Sequence, residues 1–373
     1  MEHTPRLFVE EVVKFLGYRD LKQLVKLTGS FGDHAGTQML HRFDLAVDIY
    51  LRDVDLFSPS ELGVCKCWIR PTKKIQRGES ALTYAVEHHR HLSKLIIDFG
   101  MDRSKHASWT PFGEDFLKEL SKFYSKSRTI QLQVAGDCYT ITDAEIANLH
   151  IFVEKLNIPQ VQPNLEVKID WVDKASQPNV LKPFLELPIS SLQLTDEFDY
   201  LPCLDSLVNL FYRPSLNTLV TGKDIVLPPL VERWLKSDEK YLMKFYSSFA
   251  GAHFIESETF FRGFKRQNVK WTKSTFHKSV GKLKIPGRLC KQIDDAVSYH
   301  GGKVCRLIYK KHPKLANYYL CLLFVANTSE IQSFTDVEDT VSSSKLKKHA
   351  EKMKDDEFAQ CSEGVCMFFC EMK

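Results

Sequence analysis

The chain has 373 residues, of which 43% are hydrophobic and 26% charged, with a formal net charge of +4. A chain of that length and balance can bury a sizeable core without covalent staples, and so small a charge excludes inferring a partner from net charge. The opening MEHTPRLFVEEVVKFL has no unbroken apolar stretch and no window approaches a membrane span, so neither an export signal nor membrane association is expected.

Ten cysteines are spread thinly along the chain. They read as reduced thiols of a cytoplasmic or nuclear protein rather than as a disulfide scaffold. The final Cys370-Glu371-Met372-Lys373 shares only the cysteine's position with a prenylation box. The 25 phenylalanines predict a core dominated by aromatic packing.

Residues 5 to 42 read as three short helices. Phe8, Val9, Val12, Val13, Phe15 and Leu16 recur at helical spacing until Gly17. Asp20 begins a second helix carrying Leu21, Leu24, Val25 and Leu27, which ends at Gly29, and a third starts at Ser30 or Asp33 and reaches Met39 and Leu40. Three helices this short bury little by themselves, so the module is expected to lean on a partner or on the domain that follows.

From about residue 45 strand and helix signals alternate. Strands are predicted over 46–51, 64–70, 95–99, 130–135, 165–171, 191–195, 216–221 and 243–249, with helices over 81–91, 112–124, 143–156, 204–211 and 228–236. Thr142 with Glu145 three residues later is a capping box. Val167, Leu192, Leu219 and Phe245 are placed at equivalent strand positions, 25, 27 and 26 residues apart. Two architectures fit this spacing: an irregular leucine-rich-repeat-like solenoid of strand–helix units, or a general α/β (or α+β) layer with evenly spaced strands. Residues 304–309 and 318–326 form a predicted hairpin. After Asn327 the chain is rich in Ser, Lys, Asp and Glu and reads as a disordered or loosely helical tail. The resulting division is a helical docking module (1–45), an α/β repeat-like body (46–326) and a polar tail (327–373).

The order of residues from Pro5 to Ala35 resembles the F-box, the helical motif that fastens a substrate receptor to a cullin-type ubiquitin ligase. Asp20-Leu21 lies fifteen residues after Pro5, Phe31 twenty-six after it and Ala35 four beyond that, and Val9, Val12, Val13, Leu16, Leu24 and Leu27 match the apolar positions between. The chain departs from the family at Thr4, where leucine is usual, at Leu7, where glutamate is usual, and at Gly29-Ser30-Phe31-Gly32 in place of Lys-Arg-Trp. Two glycines about the third helix cost roughly 1 kcal/mol each relative to alanine. The layout also resembles that of the large nematode F-box families, in which the motif precedes a divergent α/β or repeat-like region. The resemblance implies a substrate-recruiting role without catalysis: the helices bind the ligase's adaptor subunit, with Pro5, Leu16, Leu21, Leu24 and Phe31 as the expected contacts, and the body holds a target protein. The alternative for these residues is an ordinary helical cap on an α/β domain.

Candidate chemistry elsewhere is thin. In Glu87-His88-His89-Arg90-His91 adjacent histidines point to different sides of a helix, which suits a solvated helix end better than zinc ligands four apart. Cys65 and Cys67 share one side of a predicted strand and read as small core residues. Cys361, Cys366 and Cys370 lack a paired histidine and read as free thiols. There is no GxGxxG, no Walker-type loop and no GxSxG elbow, and Gly301-Gly302-Lys303 lacks the flanking residues of a phosphate loop. Neither cofactor nor metal is expected, and a binding protein is favoured over an enzyme. Residues 262 to 311 hold fourteen Lys or Arg against Asp294 and Asp295, interleaved with Phe264, Trp271, Phe276 and Tyr299. Such a segment suits a solvated face, an acidic protein partner or, as the alternative function, a nucleic-acid backbone.

Overall fold

In the computed structural model the chain is a mixed α/β protein that divides into two compact units, Met1–Ser190 and Ser191–Lys373. The structure describes residues 6–16, 18–50, 63–70, 80–100, 109–135, 142–159, 164–170, 172, 174–195, 198–249, 258–267, 283–299, 304–326, 329, 331–332 and 343–372. No helix among them is long and apolar enough to cross a membrane.

The first unit opens with α1 (Arg6–Phe15), α2 (Tyr18–Leu24) and α3 (Ser30–His41). Its strands are β1 (Phe43–Tyr50), β2 (Gly63–Arg70), β3 (Leu92–Gly100), β4 (Thr110–Phe112), β5 (Thr129–Ala135) and β6 (Leu165–Asp170). They pair in the order β4-β2-β1-β3-β5-β6: β1, β3, β5 and β6 run parallel, while β2 and β4 are antiparallel additions at one edge. Between them come α4 (Ala81–Glu87), α5 (Glu114–Ser121) and α6 (Asp143–Lys155), and α7 (Gln177–Leu185) follows β6.

Parallel strands usually read as continuous apolar runs because helices cover both of their faces. These do not. TIQLQVA in β5 and LEVKID in β6 alternate, and burial alternates with them. Helix side chains collect on the apolar face: Tyr84 of α4 meets Phe43 edge-on at 5.3 Å, and Phe152 of α6 meets Phe99 at 5.2 Å.

The Thr142 capping box forms as expected, Thr142 Oγ1 accepting from the Glu145 N–H while the Glu145 carboxylate accepts from the Thr142 N–H at 2.8 Å. Two predicted helices are shorter than expected. Phe112 belongs to β4 with Gly113 capping α5, and α4 stops at His88 before a single tight turn over His89–His91. Helix α7 was not expected, because it holds two prolines. Pro178 lies in the first turn, where an N–H would have no partner anyway. Pro183 withholds a donor from the Asn179 carbonyl, and His150 Nε2 supplies one at 2.8 Å.

In the second unit β7 (Ser191–Leu194), β8 (Thr218–Thr221) and β9 (Phe245–Ser248) are parallel and joined through α8 (Leu204–Phe211) and α9 (Leu227–Lys236). Then follow α10 (Glu258–Phe261), β10 (Lys265–Gln267), β11 (Leu283–Lys284) and α11 (Gly287–Tyr299), and the predicted hairpin forms as β12 (Val304–Lys311) and β13 (Tyr318–Ala326). Last come α12 (Ser343–Lys352), α13 (Asp355–Gln360) and β14 (Gly364–Met372).

Two expectations need correction here. Leu192 pairs with Leu219 as predicted, but Leu219 pairs with Tyr246, while Phe245 stands opposite Thr218. A shift of one residue moves a side chain to the other face, and Phe245 lies with Leu289, Ile293 and Val297 of α11. The disordered tail is the second correction. β14 is hydrogen-bonded between β9 and β13, and Val365 to Cys370 are wholly buried. The polar average over 327–373 concealed the run VCMFFC, which has the composition of a strand covered on both faces.

Candidate interaction surfaces

The N-terminal module has a very small interior. Val9, Val13, Leu21 and Ala35 are its buried core, and Leu16, Leu24, Phe31 and Met39 are partly buried against it. Of the five expected contact residues, Leu21 is therefore interior, while Leu16, Leu24 and Phe31 lie at its margin; Pro5 falls outside the described residues. The large apolar side chains left in water are others: Phe8 at 56% exposure, Val25 at 43%, Leu27 at 47% and Leu40 at 74%. Helical periodicity marks the apolar stripe of each helix but not which members the neighbouring helix will cover.

The glycines about α3 have a structural cause. Gly29 takes φ +87°, a left-handed conformation that side chains resist, and a Cβ on Gly32 would overlap the Leu27 carbonyl oxygen. Arg42 Nη1 ties the end of α3 to the end of α1 by donating to the Leu16 carbonyl at 2.9 Å. Gln38 Nε2 donates to the Arg90 carbonyl at 3.5 Å, and the His41 ring lies 5.2 Å from that of His91.

The polar face of the first unit's sheet is ordered in rows by strand register. One row reads Lys66, Asp48, Asp98, Gln133, Lys168. The next is Trp68, Ala46, Ile96, Gln131, Glu166, and the third is Arg70, Asp44, Lys94, Thr129. Several of these charges are matched within the face. Lys94 Nζ pairs with Glu166 at 2.9 Å and Lys168 pairs with Asp170, while Arg70 and Lys66 lie over the Trp68 ring at 5.5 and 5.9 Å.

Asp48 and Asp98 stand side by side on neighbouring strands without such a match. Asp98 Oδ1 and the Trp68 indole Nε1 are enclosed with no hydrogen-bond partner. Burial pushes the Asp48 carboxyl up to about 6, the Asp98 charge adding to the shift and Arg70 and Lys66 opposing it. Asp98 is also raised, chiefly by burial, with Arg70 and Lys168 opposing and Asp170 reinforcing. The alternation that builds this face is visible in β1, β5 and β6 of the sequence, but periodicity was read there only as a strand signal.

The remaining candidates separate. His88 lies against Tyr84 at 4.3 Å, His89 Nδ1 is 3.0 Å from the Val86 carbonyl, and His91 is buried rather than solvated. No cluster of three metal-ligating side chains occurs among the described residues. Cys65 and Cys67 do share the apolar face of β2, Cys65 buried and Cys67 half-buried. Cys361, Cys366 and Cys370 are buried thiols, Cys370 Sγ lying 3.4 Å from Cys321 Sγ.

The basic segment is dispersed. Arg266 pairs with Asp355 at 2.8 Å, and Arg306 turns inward to Asp355 at 3.1 Å, to the Lys354 and Ala350 carbonyls and to the Phe358 ring. Trp271, Phe276 and Gly301-Gly302-Lys303 fall outside the described residues. Comparison with family models, with curated proteins and with solved structures finds no match for this chain.

Proposed function

We propose that the chain is a non-catalytic substrate-recruiting adaptor of the F-box type, docking through α1–α3 on the adaptor subunit of a cullin-type ubiquitin ligase and holding a target protein on its α/β body. The observation that carries this reading is the concentration of Phe8, Val25, Leu27 and Leu40 in water on three helices whose own core is four residues. Single exposed apolar residues are ordinary on a protein surface. Four on so small a module suit a surface completed by another subunit, each contributing roughly 1.5–3 kcal/mol when fully covered. The fit of Asp20-Leu21, Phe31 and Ala35 to the F-box pattern gives that subunit its identity in this reading.

The body supports a leucine-rich-repeat-like interpretation in a limited way. Within the second unit Leu192, Leu219 and Tyr246 are in register at a repeat of 27 residues, each strand followed by a helix. In the first unit, parallel strands keep one polar face while helix side chains gather on the other, the arrangement by which such repeats present a binding surface.

The test is capture of the full chain by the purified adaptor subunit. Leu27→Asp with Leu40→Asp should reduce capture at least tenfold without altering circular dichroism. Leu21→Asp is the wrong probe, since it places a charge in the module's interior. An unmodified chain that fails to bind the adaptor ends the proposal.

A further inference from the structure

On the polar face of the first unit's sheet, we infer that Asp48, Asp98 and Trp68 form a subsite for an arginine carried on an extended segment of a partner protein. The inference rests on the target-holding half of the proposed function and is independent of the adaptor-binding half.

Charge matching selects the occupant. The face's cations have neighbours: Lys94 is on Glu166, Lys168 is on Asp170, and Lys66 and Arg70 lie over Trp68. Its two central carboxylates do not. Asp48 and Asp98 are paired in parallel register, and no hydrogen bond to either side chain occurs among the described residues. The uncompensated charge on the face is therefore negative.

Neighbouring strands lie about 4.8 Å apart, so two carboxylates side by side offer several acceptor oxygens across the width of one guanidinium. That planar group carries five donors in a fixed fork and is more weakly hydrated than an ammonium, which favours arginine over lysine. One row away, Trp68 holds an indole N–H with no acceptor. A backbone carbonyl of an extended peptide would satisfy it. The amide of Gln131 already donates to Gln133 Oε1 at 3.2 Å, so the Gln133 amide is turned toward the same row as the aspartates.

Protonation is coupled to occupancy. Crowding of Asp48 by Asp98 against the opposing Lys66 and Arg70, with Lys168 and Asp170 beside Asp98, favours one retained proton on the empty pair. An arriving guanidinium would expel it. Binding should weaken as the pH falls from 7 to 5, through the Asp48 value of about 6.

The experiment uses the full chain with a fluorescein-labelled Ser-Arg-Ser-Arg-Ser peptide, followed by anisotropy at low salt, and the same peptide with Glu in place of Arg. The chain's net charge of +4 disfavours non-specific attraction of the cationic probe. The arginine peptide is expected to bind and the glutamate peptide not to bind. D48N with D98N, which keep side-chain shape, should weaken binding at least tenfold, and Trp68→Phe a few-fold. Equal binding by the double variant, preference for the glutamate peptide, or no binding of either overturns the inference. Self-association of the chain that the double variant abolishes would assign the face to a second copy and overturn it too. Adaptor capture measured on the same samples separates the two ideas: capture without peptide binding removes the subsite alone, and peptide binding without capture removes the ligase reading alone.

Discussion

The two units handle parallel strands in opposite ways. In the first, β1, β5 and β6 alternate apolar with polar residues, and the polar half forms a face of charged rows. In the second, β13 and β14 are apolar almost throughout and are covered on both sides. Leu289, Ile293 and Val297 of α11 pack with Cys321, Leu323, Cys366 and Phe368 on one side, while Phe369 meets Trp234 at 6.2 Å and Phe324 meets Phe261 at 6.0 Å on the other. The contrast teaches that strand composition separates a surface from an interior. A period of two leaves a face for binding, and a continuous apolar run marks a strand buried on both sides.

The largest test of this contrast is removal of residues 343–372, the segment expected from its composition to be loose. Because β14 lies between β9 and β13, the deletion strips both of their pairing partner and uncovers the apolar residues of α11. The shortened chain is expected to lose cooperative thermal unfolding of the second unit and to become protease-sensitive within 191–326. Retention of a sharp transition there would show that β14 is dispensable. Next in size are point substitutions on the two sheets. Phe368→Ala, at a position with no exposure, should cost about 3–5 kcal/mol in denaturant unfolding, whereas Gln131→Ala on the polar face should stay within about 0.5 kcal/mol. Similar costs at both sites would erase the distinction.

Much of this organisation was legible in the sequence. The strands of both units, the hairpin and the Thr142 capping box follow from periodicity and local hydrogen bonding. What was hidden depends on contacts made at a distance. Helix α7 survives Pro183 because His150, 33 residues earlier in the chain, supplies the missing donor. Phe245 could not be told from Tyr246 as the repeat position, since both are aromatic and only the neighbouring strand fixes the register. The docking residues were legible as a stripe, but the split between Leu21 inside and Leu27 and Leu40 outside is decided by how α2 and α3 meet. Gly32 shows the same limit. Helix propensity counts it as a loss of about 1 kcal/mol, while the close approach of the Leu27 carbonyl makes alanine the worse residue. Gly32→Ala should destabilise the N-terminal module by roughly 1–3 kcal/mol, read as faster hydrogen exchange over 6–41 with exchange in the sheet unchanged. A stabilised module would mean that propensity outweighs the overlap.

The smallest effect concerns the polar face and has a definite sign. Asp48 is raised from its ordinary value to about 6 by burial and by Asp98, so the folded chain holds its proton more tightly than the unfolded chain. Between the unfolded carboxylate value near 4 and the folded value, stability falls as pH rises, because ionising the side chain costs more in the folded state. Above the folded value the penalty is complete. Asp48→Asn removes it and should stabilise the chain at pH 7 by about 1 kcal/mol, a figure reduced for solvent screening of a half-buried group. Below pH 4 both chains are neutral at this position and the difference should vanish. Thermal melts of the two chains at pH 4, 5.5 and 7 test this directly. A gain that is equal at all three pH values would assign the effect to packing rather than to charge. A loss at pH 7 would mean that the carboxylate is compensated within the fold, leaving no unmatched charge on the face for a partner to meet.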